Sequence, residues 1–353
     1  MDISIPYYED KSRISNSAIG WFLNKGPTFL HKMLTEDMPE EDSAALKRGT
    51  MIHEYILQPE EFQKHYVVWD KTKPISAQQE KFCQELVNTT EIEPNRAILS
   101  AYKEAYSTRG KSDDLMLSEG LKIASTLKDY INFLKENDGR TMISPWDVKM
   151  LEKIKHNICN HKLANDIIYH CGNFHDYKET VECSAASLEK EIIEKKYYHE
   201  FHINWEHYVP KIGNIQCKSL LDGLTLDFNN KKAIIYDLKT TQKLWHFEDS
   251  IDQYDYCRQL CYYRMAVVWY LENECNIDHV EIINTWQFEY YIIGIDTTGS
   301  YEIRVFKVEQ NIIYSRENTI RVALADIAWH QGTNQWEHSR EYYEGDGSES
   351  LLL

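Results

Sequence analysis

The pattern of apolar and polar residues changes character near residue 195. Before that point apolar positions recur at three- and four-residue spacing, as in helices buried along one face. Residues 1–65 read as a lead-in segment followed by two helices. The first opens at Ala18-Ile19-Gly20-Trp21-Phe22-Leu23 with Ser15 or Ser17 as its cap. The second runs from about Ser43 to Leu57, where Pro59 ends it, and the polar stretch 35–43 is the loop between them. Residues 75–170 are predicted to be mostly helical, with one helix from Leu121 through Leu134 broken by Glu136-Asn137-Asp138-Gly139. Ser144-Pro145-Trp146-Asp147 starts another, with serine at the cap, proline at the first helical position and an acid in the first turn. Gly110-Lys111-Ser112-Asp113-Asp114 reads as a mobile turn. Beyond 195 alternation predicts strands at Tyr197–Trp205, Ile215–Leu226 and Ala233–Lys239, with a hairpin turn at Asn229–Lys232. A long helix Asp252–Tyr270, strands Val280–Phe288 and Tyr301–Val308, a helix over 310–330 and a disordered tail complete the chain.

The hairpin strands carry the chemistry. Leu221-Asp222-Gly223 lies fifteen residues, acid to acid, before Asp237-Leu238-Lys239. Asp237 and Lys239 share a strand face by the period of two, and Asp222 lies near them if the strands pair. Two carboxylates and a lysine are poor core residues unless something compensates their charge. A hard divalent cation, which takes oxygen ligands, would do so. By itself the pattern fits a solvated surface hairpin equally well.

Composition narrows the classes. A chain of 353 residues that is 42% hydrophobic and 12% aromatic is too apolar to be disordered. No run of about 18 apolar residues is present, so no transmembrane helix is expected. The segment Met1–Asp10 lacks the basic and apolar regions of a signal peptide. Eight cysteines without a CxxC pair read as reduced thiols in a cytoplasmic protein, with Cys257 and Cys261 as small buried hydrophobes. The net charge of −17 argues against binding nucleic acid through bulk positive potential.

Several stretches, in order, resemble the RecE-type exonucleases of the PD-(D/E)xK nuclease superfamily, which has a RecB-like nuclease domain. Arg48-Gly49-Thr50-Met51-Ile52-His53 through Leu57-Gln58-Pro59-Glu60-Glu61-Phe62 is similar to the family's G-T-x-x-H…L-x-P-E-E-F helix. Glu200, five residues before Trp205, is similar to the acid that opens the first sheet strand. Cys217–Asp222 resembles the strand ending in the first metal acid, and Tyr236-Asp237-Leu238-Lys239-Thr240-Thr241 the D-[VL]-K-T-T signature. Tyr256-Cys257-Arg258-Gln259-Leu260-Cys261-Tyr262-Tyr263 resembles the Q-x-x-x-Y helix. The likeness covers about 13–70 and 140–310, leaving 90–138 and part of 171–195 as insertions. Leu221 stands where the family often has proline, and the cysteine cluster of the iron–sulfur branch is missing.

The resemblance implies an α/β, restriction-endonuclease-like core: a central mixed β-sheet flanked by helices, with an inserted helical region. It implies a helical part at 1–70, a mainly helical region with insertions at 71–195, the sheet and its helices at 196–335 and a disordered tail at 336–353, all in one nuclease domain. Asp222, Asp237 and the Leu238 carbonyl would be ligands of Mg²⁺ or Mn²⁺, with His53 and Glu200 completing the set. Lys239 would be the catalytic lysine, and Gln259 and Tyr263 would brace the site and the phosphate. Ser17, in Arg13-Ile14-Ser15-Asn16-Ser17, is similar to a segment holding a terminal phosphate in lambda-type exonucleases. Without their flanking motifs His53 and Tyr263 would read as core, Ser17 as a cap and Glu200 as a solvated acid competing with Glu194 and Glu206. His156, His161, His199 and His202 read as structural or surface residues. The implied activity is 5′-to-3′ digestion of linear double-stranded DNA in recombination by a ring-shaped homo-oligomer. A RecT-like annealing protein would be its partner and no membrane is involved. A structure-specific endonuclease or nickase on the same fold, or a non-catalytic module binding DNA ends, are the alternatives.

Overall fold

The computed structural model describes residues 5–36, 43–69, 75–136, 139–169 and 195–349. Residues 37–42 of the loop expected at 35–43, the helix break at Asn137-Asp138, Cys171, Cys183, Glu194, residues 171–194 of the insertion expected within 171–195 and residues 350–353 lie outside them. The chain forms two compact units, one of Met1–Pro59 with Met150–Leu353 and one of Glu60–Lys149.

In the first unit, α1 spans Asn16–Thr35, and its cap is Ser15, whose hydroxyl accepts from the Ala18 N–H. Gly26, with φ 82°, kinks it ahead of Pro27. Helix α2 is Ala44–Leu57, capped by Ser43 and buried through Met51, Ile52, Ile56 and Leu57.

The second unit opens with α3, Pro59–His65, so Pro59 both ends α2 and starts the next helix. Strand β1, Tyr66–Val68, pairs in parallel with β2, Thr141–Ile143, and each strand is too short for its pattern to show in the sequence. Between them lie α4 (Ala77–Asn88), α5 (Pro94–Ala105), α6 (Asp113–Thr126) and α7 (Lys128–Glu136). They enclose a small core of Phe82, Tyr102, Met116, Tyr130 and Ile131. The helix expected from Leu121 to Leu134 breaks at Leu127, where ψ rises to 20°. The turn at 110–114 is tied down: Lys111 Nζ donates to the Tyr102 hydroxyl and to Glu119, both at 2.6 Å, and Ser112 caps α6.

Helix α8, Pro145–Asn160, starts at the Ser144 cap that the sequence marks, and α9 is Lys162–Tyr169. The main sheet follows: β3 (Lys195–Val209), β4 (Gly213–Asp227) and β5 (Lys232–Thr241). A short turn leads to α10 (Phe247–Gln253) and α11 (Tyr256–Asn273). The single helix expected over 252–270 is interrupted because Asp255 takes a left-handed conformation, φ 46°. Residues 280–285, expected as strand, form α12 (His279–Thr285), since the Asp278 carboxylate caps the Val280 and Glu281 N–H groups. Strand β6 (Gln287–Asp296), β7 (Ile303–Val308), α13 (Gln310–Thr333) and α14 (Arg340–Glu344) complete the unit. The segment from 336 is not a featureless tail: Trp336 is buried in the main core and Ser339 caps α14. Among the described residues no helix is long and apolar enough to cross a membrane.

The sheet order is β3-β4-β5-β6-β7, antiparallel except for the β5–β6 pair. Apolar residues of β3, β4 and β5 pack with α1, α11 and α13 into the main core. The opposite face meets α2 and α9, where His199 joins the Leu57 and Ile168 carbonyls at 3.1 and 3.0 Å.

Two features of this packing yield predictions. A Cβ on Gly223 would lie 1.9 Å from the ring of its cross-strand neighbour Tyr236. Gly223→Ala should therefore destabilise the fold by about 1–3 kcal/mol, and an unchanged denaturation midpoint would refute the close approach. His330 is fully buried, stacked on Trp336 with centroids 5.2 Å apart, and its Nε2 has no hydrogen-bond partner among the described residues. Burial holds its pKa below the ordinary value, and Arg340 pushes it further down, while the Gln335 carbonyl and Asp326 pull it back. A lowered pKa in the fold means stability that is full above about pH 6.5, the unfolded value, and is lost as pH falls through the folded one. The fall in melting temperature between pH 7.5 and 5.5 should be smaller in His330→Phe, and parallel curves would rule that out.

Candidate metal centre

The site forms where two strands part. Strands β4 and β5 pair from Asp227–Lys232 up to Gly223–Tyr236 and then separate, so Asp222 and Asp237 stand at the fork. Beyond the fork β5 stays paired with β6, while the freed edge of β4 takes up Ile14, which bridges to Cys217. Asp222 Oδ2 accepts the Leu238 N–H at 2.6 Å, a carboxylate in the place of a ladder carbonyl. The carbonyl of Leu238 leaves the strand on the same side as its N–H and so faces the fork.

Glu200 reaches the fork from β3. Between the pairs His199–Gly223 and Phe201–Leu221 it stands opposite Asp222, with φ 47°. A left-handed glutamate costs about 1 kcal/mol or more and is kept where the surroundings fix it. It also reverses the strand's alternation. Tyr198 and Phe201, three residues apart, both pack on Tyr270 of α11, with centroids 6.4 and 5.2 Å away.

His53 comes from α2. Gly49, one turn earlier on the same helix face, lets α2 approach the end of β5, since a Cβ there would lie 3.3 Å from Thr240 Oγ1. His53 Nδ1 is 3.7 Å from Asp222 Oδ2 and 3.9 Å from Glu200 Oε1. One ligand atom from each of His53, Glu200 and Asp222 lies within 4.8 Å of the others. Asp237 is outside this group of three and pairs with Lys239, Nζ to Oδ2 2.6 Å. Neither oxygen of Asp237 receives a hydrogen bond of good geometry, although both are buried.

The electrostatics follow from this crowding. Burial raises the pKa of Asp222 and of Asp237, and each carboxylate is pulled back by Lys239. Burial works against the Lys239 ammonium, but Asp237 and Asp222 outweigh it and hold the lysine firmly protonated. His53 is likewise opposed by burial and raised on balance by Asp222 and Glu200. A cation fits this donor set: oxygen ligands, an imidazole, and a buried Asp237 Oδ1 with no hydrogen-bond partner among the described residues.

Gln259 and Tyr263 lie one turn apart on α11, and the Gln259 amide donates to the Tyr263 hydroxyl at 2.7 Å. Burial raises the pKa of Tyr263, and the charges of Asp237 and Asp222 add to it. Ser17 is exposed in the first turn of α1 and is not its cap. The neighbouring Asn16 accepts from Arg258 Nε at 3.1 Å.

Some residues around the site carry no sequence signal. Tyr7 and Tyr8 precede α1, and Glu200 contributes to the raised pKa of both, after burial. Lys218 on β4 clamps this segment, donating from Nζ to the Tyr7 carbonyl and, at 2.5 Å, to that of Asp10. Tyr256 lies under Lys239, with Nζ 5.0 Å from its ring centroid. Isolated tyrosines and a lysine on a strand have no diagnostic spacing, and only the fold gathers them.

No family model matches the chain, and no curated protein matches it. Among solved structures it is similar to a crystal structure of a candidate exonuclease from Eubacterium rectale. That likeness has a TM-score of 0.45 and 12% sequence identity, over 97% of this chain and 91% of the other.

Metal binding can be read without any activity. Saturating Mn²⁺ should raise the melting temperature, by the equivalent of about 2.7 kcal/mol at a hundred times Kd. Glu200→Gln should abolish most of this shift without lowering metal-free stability. An undiminished shift in that variant would place the ion elsewhere.

Proposed function

We propose that this protein is a metal-dependent deoxyribonuclease with a PD-(D/E)xK active site. The observation that carries this reading is the fork itself: Asp222 and Asp237 both buried where the strands part, with the Lys239 ammonium 2.6 Å from Asp237 Oδ2. His53, Glu200 and Asp222 would hold Mg²⁺ or Mn²⁺, with Asp237 and the Leu238 carbonyl completing the shell. When bound, the ion polarises the phosphodiester and lowers the pKa of the attacking water.

The chain's own residues do the rest. Lys239, with Nζ 2.6 Å from Asp237 Oδ2, serves as a donor and a positive charge for the phosphoryl oxygens. The Tyr263 hydroxyl accepts from Gln259, which leaves its own proton for the acids or a phosphate oxygen. Glu200, opposite Asp222, supplies a further carboxylate for the ion or its water.

On the resemblance of its motifs to RecE-type enzymes, the substrate is linear double-stranded DNA digested from 5′ ends during recombination. A ring-shaped homo-oligomer and a RecT-like annealing partner belong to the same proposal. Duplex labelled at either end, with and without a terminal phosphate, and a sealed circle test it together with Mg²⁺ or Mn²⁺. The expected outcome is release of label from linear DNA first at the 5′ end and intact circles. Lys239→Ala should lose activity by on the order of 100-fold or more. Cutting of the circle would make the protein an endonuclease. No release by the wild type, or full activity in Lys239→Ala, would overturn the nuclease assignment.

A further inference from the structure

A pair of stacked tyrosines leads from the catalytic lysine to solvent. Lys239 Nζ lies 5.0 Å from the centroid of the Tyr256 ring. Tyr256 stacks with Tyr254, centroids 5.7 Å apart and planes at 22°, and Phe247 backs Tyr256 at 6.1 Å. Tyr254 is 58% exposed. Scattered exposed tyrosines are ordinary on protein surfaces, but this one continues an aromatic stack that ends on the site's positive charge.

The pair is also rigidly placed. Asp255, between the two tyrosines, has φ 46°, and its carboxylate accepts from the Arg258 N–H at 3.2 Å and from Arg316 Nε at 2.9 Å. The cap of α11 and an ion pair to α13 thus hold a strained turn and fix both rings. A ring fixed in advance loses little entropy when something stacks on it.

We propose that Tyr254, supported by Tyr256, is a stacking platform for an unpaired nucleobase of the strand whose phosphate lies at Asp222, Asp237 and Lys239. An aromatic face next to a cation matches one nucleotide unit, a flat base beside a phosphodiester anion. In an intact duplex the base faces are covered by their neighbours, so the ligand class is a single strand or an end opened at the cut. The phosphate half of this statement rests on the nuclease reading, and the stacking half can be measured apart from it.

The test uses the full chain and single-stranded oligonucleotides carrying 2-aminopurine at successive positions, with Ca²⁺ present. Binding should quench the fluorophore at one position. Tyr254→Ala should remove that quench and weaken binding roughly tenfold, while Tyr254→Trp should retain both. An abasic nucleotide at the quenched position should make wild type and Tyr254→Ala bind alike. In cleavage assays Tyr254→Ala should raise KM with kcat kept within a few-fold. Because Tyr254 is exposed, its melting temperature should match the wild type's. Equal binding and quenching by Tyr254→Ala, or blunt duplex closed by hairpins bound as tightly as single strands, would overturn the platform. A wild type that cuts DNA with no role for Tyr254 sinks only this inference. Tyr254-dependent binding without cleavage of any DNA sinks only the nuclease reading.

Discussion

The separation of β4 from β5 is the constraint on which the site depends. Antiparallel strands normally satisfy each other's backbone along their whole length. Here the ladder stops at Gly223–Tyr236, and the next N–H, that of Leu238, is met by the Asp222 carboxylate. One side chain thereby closes the sheet and opens a cleft. Two acids are left buried at the fork, where water cannot neutralise them cheaply. A lysine from the same strand offsets part of that charge at Asp237 Oδ2, and the unpartnered Oδ1 marks what is still uncompensated.

The surrounding elements serve to hold this fork open. Ile14 occupies the β4 edge that β5 vacates, and Tyr262 of α11 donates to the Ile14 carbonyl at 2.5 Å. The Tyr236 ring crosses Gly223 on the far face, so the last paired step cannot carry a side chain. Glu200 switches β3 from one alternation phase to the other at the same level, which keeps Tyr198 and Phe201 both on the main core. The cost of that strained residue is offset by the apolar contacts it permits on either side.

Charge is arranged locally. A net charge of −17 leaves little bulk attraction for a polyanion. What the centre offers is a concentrated and correctable imbalance: three carboxylates that a bound cation would compensate, one ammonium and one imidazole. In the proposed reaction, binding would draw on the ion, Lys239 and the aromatic pair at Tyr254 and Tyr256, none of which requires a positive surface.

The sequence by itself determined the parts whose signal is local. The helix starting near Ser43, the cap at Ser144, the strands on either side of Asn229–Lys232, and the spacing of Asp222 from Asp237 and Lys239 are all readable, because each rests on neighbours a few residues away. Tertiary structure decided the rest. The segment 280–285 became helix and not strand because Asp278 caps it and Ile282 has a core to enter. Trp336 was drawn out of an expected tail by the same core. Lys218 met the segment at Tyr7 and Asp10, and Tyr256 met Lys239, through contacts that no periodicity encodes. Period-two geometry alone would keep Tyr198 and Phe201 on opposite faces. The left-handed turn at Glu200, held by its place opposite Asp222, brings them together.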